Sequence, residues 1–169
     1  MDNGCAGMDK WQLAAQLGTR LAACGQRVTT AESCTGGGVA AAITEIAGSS
    51  GWFDMAVVSY SDEIKQRVLG VPAALLQQHG AVSEPVAAAM AEGALRLAGA
   101  DWALAVSGVA GPGGGTAAKP VGMVCFAIAG AALASPLTWT QHFAGDRHAV
   151  REQSVCALLS TLLQQLPAQ

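Results

Sequence analysis

Apolar residues recur along this chain with two periods, one helical and one extended. Trp11, Leu13, Ala14, Leu17, Leu21 and Ala22 fall at helical spacing and Gly25 supplies a stop, so a first helix is expected over about 9–24. The β-branched run Val28-Thr29-Thr30 reads as a strand. It meets Glu32, Ser33, Cys34 and Thr35, then three glycines, and Val39 to Ile43 continue as a helix expected over 35–46. Gly48-Ser49-Ser50-Gly51 is a loop by composition. Met55 to Tyr60 is mostly apolar and predicts a second, buried strand. Ser61-Asp62 offers a cap for a short helix carrying Ile64, Lys65, Val68 and Leu69, ended by Gly70 and Pro72.

Another short helix, 73–79, leads to Ser83-Glu84-Pro85, where a serine cap and a first-turn proline open a helix over 84–98. Asp101 to Ser107 is the next strand, and a glycine loop runs from Gly108 to Pro120. Two more strands are expected at 121–129 and 136–143, the second at an edge. The last helix spans Arg147 to Leu166, with Val150, Val155, Leu158, Leu159 and Leu162 on its apolar face. Helices alternate with strands until the final two strands, which adjoin directly. The expected architecture is therefore α/β: a three-layer αβα sandwich with a mixed, mostly parallel central sheet. One domain is expected over 1–169, with residues 1–8 a flexible leader.

Composition narrows the functional classes. About half of the 169 residues are apolar and only 12% are charged, which suits close helix–sheet packing through small side chains. A formal charge of −3, with no Lys/Arg run, argues against direct nucleic-acid binding and against a polybasic membrane patch. No apolar run reaches the roughly 18 residues of a membrane span, and Met1-Asp2-Asn3-Gly4 lacks a basic region before an apolar one. A cytoplasmic protein is expected, as is a homo-oligomer, dimer or higher. Cys5, Cys24, Cys34, Cys125 and Cys156 form no CxxC pair and have no histidine at zinc spacing, so they read as free thiols and no metal site is expected.

Three turns at strand ends could share the crevice that open α/β sheets offer to ligands: Ser33–Gly38, Tyr60–Lys65 and Ser107–Gly115. A helix beginning near Thr35 would place unpaired N–H groups and partial positive charge at Ser33 and Cys34, favouring an anion or oxyanion. A plain N-cap is the competing role for Ser33 or Thr35. Lys65 lies in an apolar stretch where desolvation would lower its pKa and make it a base for a serine, with Tyr60 relaying the proton; a snorkelling lysine and a core tyrosine are the alternative. The 108–115 loop is neither a Walker loop nor a Rossmann fingerprint, but its amides could nest a phosphate. Arg147, at a helix start, would suit a phosphate or carboxylate, and Lys119 could add charge. A thiol reaction through Cys34 also remains open, because a helix N-terminus can lower a thiol pKa. Glu32, next to Ser33 on a strand, should point to the opposite face.

Five blocks carry a resemblance in order: Ala31-Glu32-Ser33-Cys34-Thr35-Gly36-Gly37; Val58-Ser59-Tyr60-Ser61 with Lys65; His79-Gly80-Ala81-Val82-Ser83; Gly108-Val109-Ala110-Gly111-Pro112 with Lys119-Pro120-Val121-Gly122; and Gly145-Asp146-Arg147. Over about residues 10–165 the chain resembles the CinA C-terminal domain family of nicotinamide-nucleotide amidohydrolases, in the stand-alone form. The resemblance implies hydrolysis of the carboxamide of nicotinamide mononucleotide to nicotinic acid mononucleotide and ammonia, in pyridine-nucleotide recycling, with no cofactor. It implies a Ser33 nucleophile assisted by Tyr60 and Lys65 through an acyl-enzyme, and amides at the start of the 35–46 helix holding the oxyanion. Cys34, Thr35, Gly36, Ser107, Gly111, Gly113, Gly114 and Arg147 are then the expected substrate contacts. Ser107 stands where the family has threonine, and Asp62 where it usually has asparagine; a charge there would raise the Lys65 pKa. The alternative is a non-catalytic nucleotide-binding accessory in competence or DNA-damage response.

Overall fold

The computed structural model describes residues 7–167, so the expected leader lies, apart from its last two residues, outside the described part. Helix α1 spans Lys10–Cys24, capped by Asp9 and closed by Gly25 in the left-handed region. Strand β1 (Val28–Glu32) is followed by α2 (Gly38–Thr44), a single 3₁₀ turn (Ser49–Gly51) and strand β2 (Phe53–Val58). Helices α3 (Asp62–Leu69), α4 (Ala73–His79) and α5 (Glu84–Ala98) precede β3 (Trp102–Gly108), and β4 (Met123–Gly130), β5 (Leu137–His142) and α6 (Arg147–Gln165) complete the domain.

The strands form one sheet in the order β2-β1-β3-β4-β5. β1 pairs in parallel with β2 and with β3, whereas β3–β4 and β4–β5 are antiparallel. Four strands thus share one direction and β4 opposes them, a mixed, mostly parallel sheet as expected. Side chains alternate between two cores. Leu104, Val106, Phe126 and Ile128 pack with α1, α2 and α6, while Ala31, Ala103, Ala105 and Ala127 pack with α3, α4 and α5. Gly93 is what lets α5 approach the end of α3 closely: a Cβ added there would lie 2.0 Å from the Leu69 carbonyl oxygen.

Two expectations change. Helix α2 starts at Gly38, not at Thr35, because the 33–37 segment is a separate turn in which Gly36 and Gly37 take φ of 58° and 94°. β2 is not buried on both sides: it is an edge strand, half-buried with Asp54 and Val58 exposed, since β1 pairs its inner side only. The chain leaves β1 through α2 on one face toward β2, then returns through α3–α5 on the other face to β3. The carboxyl end of β1 is therefore the topological switch point of the sheet, the position where ligands bind in doubly wound folds.

Candidate active site

Ser33 sits at that switch point. Its amide donates to the Val106 carbonyl (3.0 Å), which extends the β1–β3 ladder by one step and holds the serine at the end of the strand. Strand alternation then sends Glu32 and Ser33 to opposite faces, as the sequence predicts. Ser33 meets α3, where Lys65 Nζ lies 3.2 Å from Ser33 Oγ. Glu32 meets α2.

Lys65 is 1% exposed and, among the described residues, forms no ion pair with a carboxylate; Nζ donates instead to the carbonyls of Ser59 (2.7 Å) and Tyr60 (3.4 Å). Burial holds its pKa below the ordinary lysine value, opposed by the negative charge of Asp62. The helix that carries it is positioned by Ser61, whose hydroxyl accepts the Ile64 amide, and by Gly70 at its end. Sequence periodicity alone could not separate this buried lysine from a snorkelling one.

Tyr60 stands differently from expectation. Its side chain is 61% exposed and its hydroxyl accepts from Arg147 Nη2 at 3.1 Å, so the phenol faces Arg147 and not Ser33. Only its carbonyl reaches Lys65. Arg147 Nη1 also donates to the Gly111 carbonyl (2.9 Å), linking the start of α6 to the glycine loop. Beside Arg147 opens a cavity of about 440 Å³, lined by Ala110, Pro112, Val121, Gly145, Asp146, Arg147 and His148. Tyr60 thus spans from Lys65, through its backbone, to the arginine at the cavity, through its hydroxyl.

The other expected contacts divide. The Cys34 side chain packs into the core, and burial, with Glu32 nearby, pushes its thiol up to about 11, the reverse of an activated thiolate. The Thr35 hydroxyl is turned inward to Glu32 (2.6 Å). Among the described residues the amides of Cys34 and Thr35 have no backbone hydrogen-bond partner, but Thr35 is 0% exposed, so of the two only Cys34, at 5%, can offer its backbone to a ligand. Gly36 is exposed. Ser107 is buried with its hydroxyl donating to the Ala81 carbonyl (2.7 Å), which ties β3 to the segment between α4 and α5. Gly111 is buried, while Gly113 and Gly114 are exposed, and the loop contributes Ala110 and Pro112 to the cavity. Lys119 Nζ donates to the His79 carbonyl. Among the described residues no three His, Cys, Asp or Glu side chains are placed to hold a metal ion, and no helix is long and apolar enough to cross a membrane.

Two residues escaped the sequence reading as parts of this site. Glu32 is 0% exposed and its carboxylate accepts from the amides of Gly37, Val39 and Ala40 and from the hydroxyls of Thr30 and Thr35. Arg151 Nη2 donates to the Thr35 carbonyl at 2.8 Å. The signal for Glu32 was present: a buried carboxylate beside a glycine turn must find donors, and the nearest free ones are the amides of that turn.

Comparison with known proteins agrees with the geometry. The model of the CinA C-terminal domain matches residues 10–166. The chain is 55% identical to the nicotinamide-nucleotide amidohydrolase PncC of Shigella flexneri and 54% identical to that of Escherichia coli strain K12, in each case over 91% of this chain and 93% of the relative. The crystal structure of the competence damage-inducible protein A (ComA) from Klebsiella pneumoniae superposes with a TM-score of 0.90 at 43% identity, over 94% of this chain and 97% of that one. With a family model matched over residues 10–166 and relatives at 54–55% identity over most of both chains, this chain belongs to the CinA C-terminal domain family.

Proposed function

We propose that this chain hydrolyses the carboxamide of nicotinamide mononucleotide to nicotinic acid mononucleotide and ammonia, with Ser33 as nucleophile and Lys65 as its base. The observation that carries the reading is the contact between Lys65 Nζ and Ser33 Oγ, 3.2 Å apart at the switch point of the sheet. A neutral amine has two N–H groups and one lone pair. The Ser59 and Tyr60 carbonyls accept the two N–H groups, which leaves the lone pair for the Ser33 hydroxyl proton. Burial favours the neutral amine by lowering the Lys65 pKa.

In the first half-reaction the Ser33 proton passes to Lys65 while Oγ bonds to the carboxamide carbon. Cys34, 5% exposed where Thr35 is fully buried, offers its backbone amide to the developing oxyanion. Lys65 returns the proton to the leaving nitrogen, the C–N bond breaks and ammonia departs. Water then attacks the ester, again losing its proton to Lys65, and the free acid and Ser33 are restored. Arg147, at the cavity, supplies the positive charge for the nucleotide phosphate, with the Gly111 loop and Tyr60 holding its guanidinium in place.

A cytoplasmic location suits the same reading, since Cys24, Cys34, Cys125 and Cys156 are free thiols. The acidic balance supports a small-molecule substrate over nucleic acid. A homo-oligomer is part of the proposal, supported by exposed Val58 and Tyr60 at the open edge of the sheet, and sedimentation tests it. The deciding experiment is ammonia release from nicotinamide mononucleotide. Ser33→Ala is expected to lose at least about 10²-fold in kcat. Wild-type turnover by that variant would overturn the assignment, and binding of the nucleotide without any turnover by the parent protein would favour the accessory role.

A further inference from the structure

The turn that carries Ser33 is built around an anion of its own. Gly36 and Gly37, both at positive φ, fold the backbone so that the amides of Gly37, Val39 and Ala40 converge at 2.9–3.1 Å on the Glu32 carboxylate. The Thr35 hydroxyl closes the same oxygen at 2.6 Å and Thr30 approaches the other at 3.3 Å. Convergent backbone N–H groups of this kind form a concavity that takes an anion. Here the anion is internal, 0% exposed and one residue from the nucleophile.

We propose that Glu32 is a positioning residue for the hydrolysis: by filling the nest of amides after β1, its carboxylate holds the 33–37 turn in the one shape that aims Ser33 Oγ at Lys65. The inference rests on the reading of Ser33 as nucleophile. Its geometry is an alternation followed by a turn. Glu32 and Ser33 leave β1 toward opposite layers, so the carboxylate grips α2 from one face while the hydroxyl reaches α3 on the other. Any shift of the α2 turn against β1 therefore rotates the serine. Arg151, donating to the Thr35 carbonyl from α6, braces the far side of the same turn. The arrangement also removes the start of α2 from the list of places for the substrate phosphate, because its donors are already taken.

The test compares Glu32→Gln, Thr35→Val and Ser33→Ala in the full chain, with nicotinamide mononucleotide as substrate. In Glu32→Gln one oxygen becomes an NH₂ that faces N–H donors, and the turn shifts. Displacements of about 1 Å at a reacting atom cost on the order of 10²-fold. A loss of about 10- to 10²-fold in kcat is expected, with KM within about twofold and the acid limb of the pH profile unmoved, because Glu32 does not act on the proton. Thr35→Val removes the shortest bond while keeping the shape, and a smaller fall in kcat, again without a KM change, is expected; it decides the matter if Glu32→Gln does not fold. A purely structural role would lower the melting temperature and leave kcat untouched well below it. Wild-type kcat in the folded variants, with Ser33→Ala inactive, would overturn this inference alone; an active Ser33→Ala would instead overturn the nucleophile.

Discussion

Lys65 Nζ lies 3.2 Å from Ser33 Oγ although 32 positions separate the two residues, and among the described residues no carboxylate pairs with it. A buried lysine in that position is costly as an ammonium and useful as an amine. Its consequences can be measured.

Activity should rise with pH through the lowered pKa of Lys65, because only the neutral amine can take the Ser33 proton. Burial pulls this pKa down and Asp62 pulls it back up. Asp62→Asn should therefore move the acid limb of the kcat/KM profile to lower pH. Cys34 can raise the same pKa only as a thiolate, and its thiol is pushed up to about 11, so Cys34→Ser should leave that limb in place near neutrality.

The same lysine should make stability depend on pH. Its folded pKa is below the unfolded value of 10.5, so between the two the unfolded chain binds more protons and folding strengthens as pH rises. Measured against Lys65→Met, wild-type stability should climb across that window and level off above 10.5. Lys65→Met itself should fold and lose about 10²-fold or more in kcat. Urea titrations at a series of pH values read the difference, and a flat difference would place the lysine outside the buried environment described.

Tyr60→Phe separates two roles for the phenol. Its hydroxyl meets Arg147 and not Lys65, so the variant should raise KM by roughly three- to tenfold, the worth of about one hydrogen bond, with kcat near the wild-type value. A collapse of kcat would show that the phenol carries the proton after all.

Arg147→Ala should weaken the nucleotide more strongly, by roughly 10- to 10²-fold in KM, as expected for a charge-assisted contact to phosphate. The unphosphorylated nucleoside serves as control: with it, parent and variant should differ little.

Treatment with iodoacetamide near neutrality should leave activity intact for Cys34, whose thiol is 5% exposed and protonated. Rapid loss matched by modification at Cys34 would revive the thiol mechanism.

Local chemistry made much of the molecule legible. Helix α1 followed from its apolar spacing and Gly25, while its Asp9 cap emerged only in the structure. Helix α3 followed from Ser61 and Gly70, and α5 from Pro85 in its first turn, although the Ser83 hydroxyl donates to the Gly80 carbonyl instead of capping. Ser33 and Lys65 were visible as a reactive turn and a lysine in an apolar stretch. Less legible were the start of α2, the edge position of β2 and the direction of Tyr60.

What the amino-acid order determined by itself was everything set within one turn of chain: helix limits, the glycine bends at 36 and 37, and the alternation that sends Glu32 and Ser33 apart. Tertiary structure decided which groups satisfy one another. Thr35 was expected to open a helix, but its hydroxyl and the first α2 amides were drawn to Glu32, because a carboxylate buried at a strand end has no other donors. Lys65 came to lie buried beside Ser33 because α3 brings it to the end of β1, and the Cys34 side chain packs into the core. Burial and hydrogen-bond partners depend on segments far apart in sequence, and charge in a protein interior is governed by both.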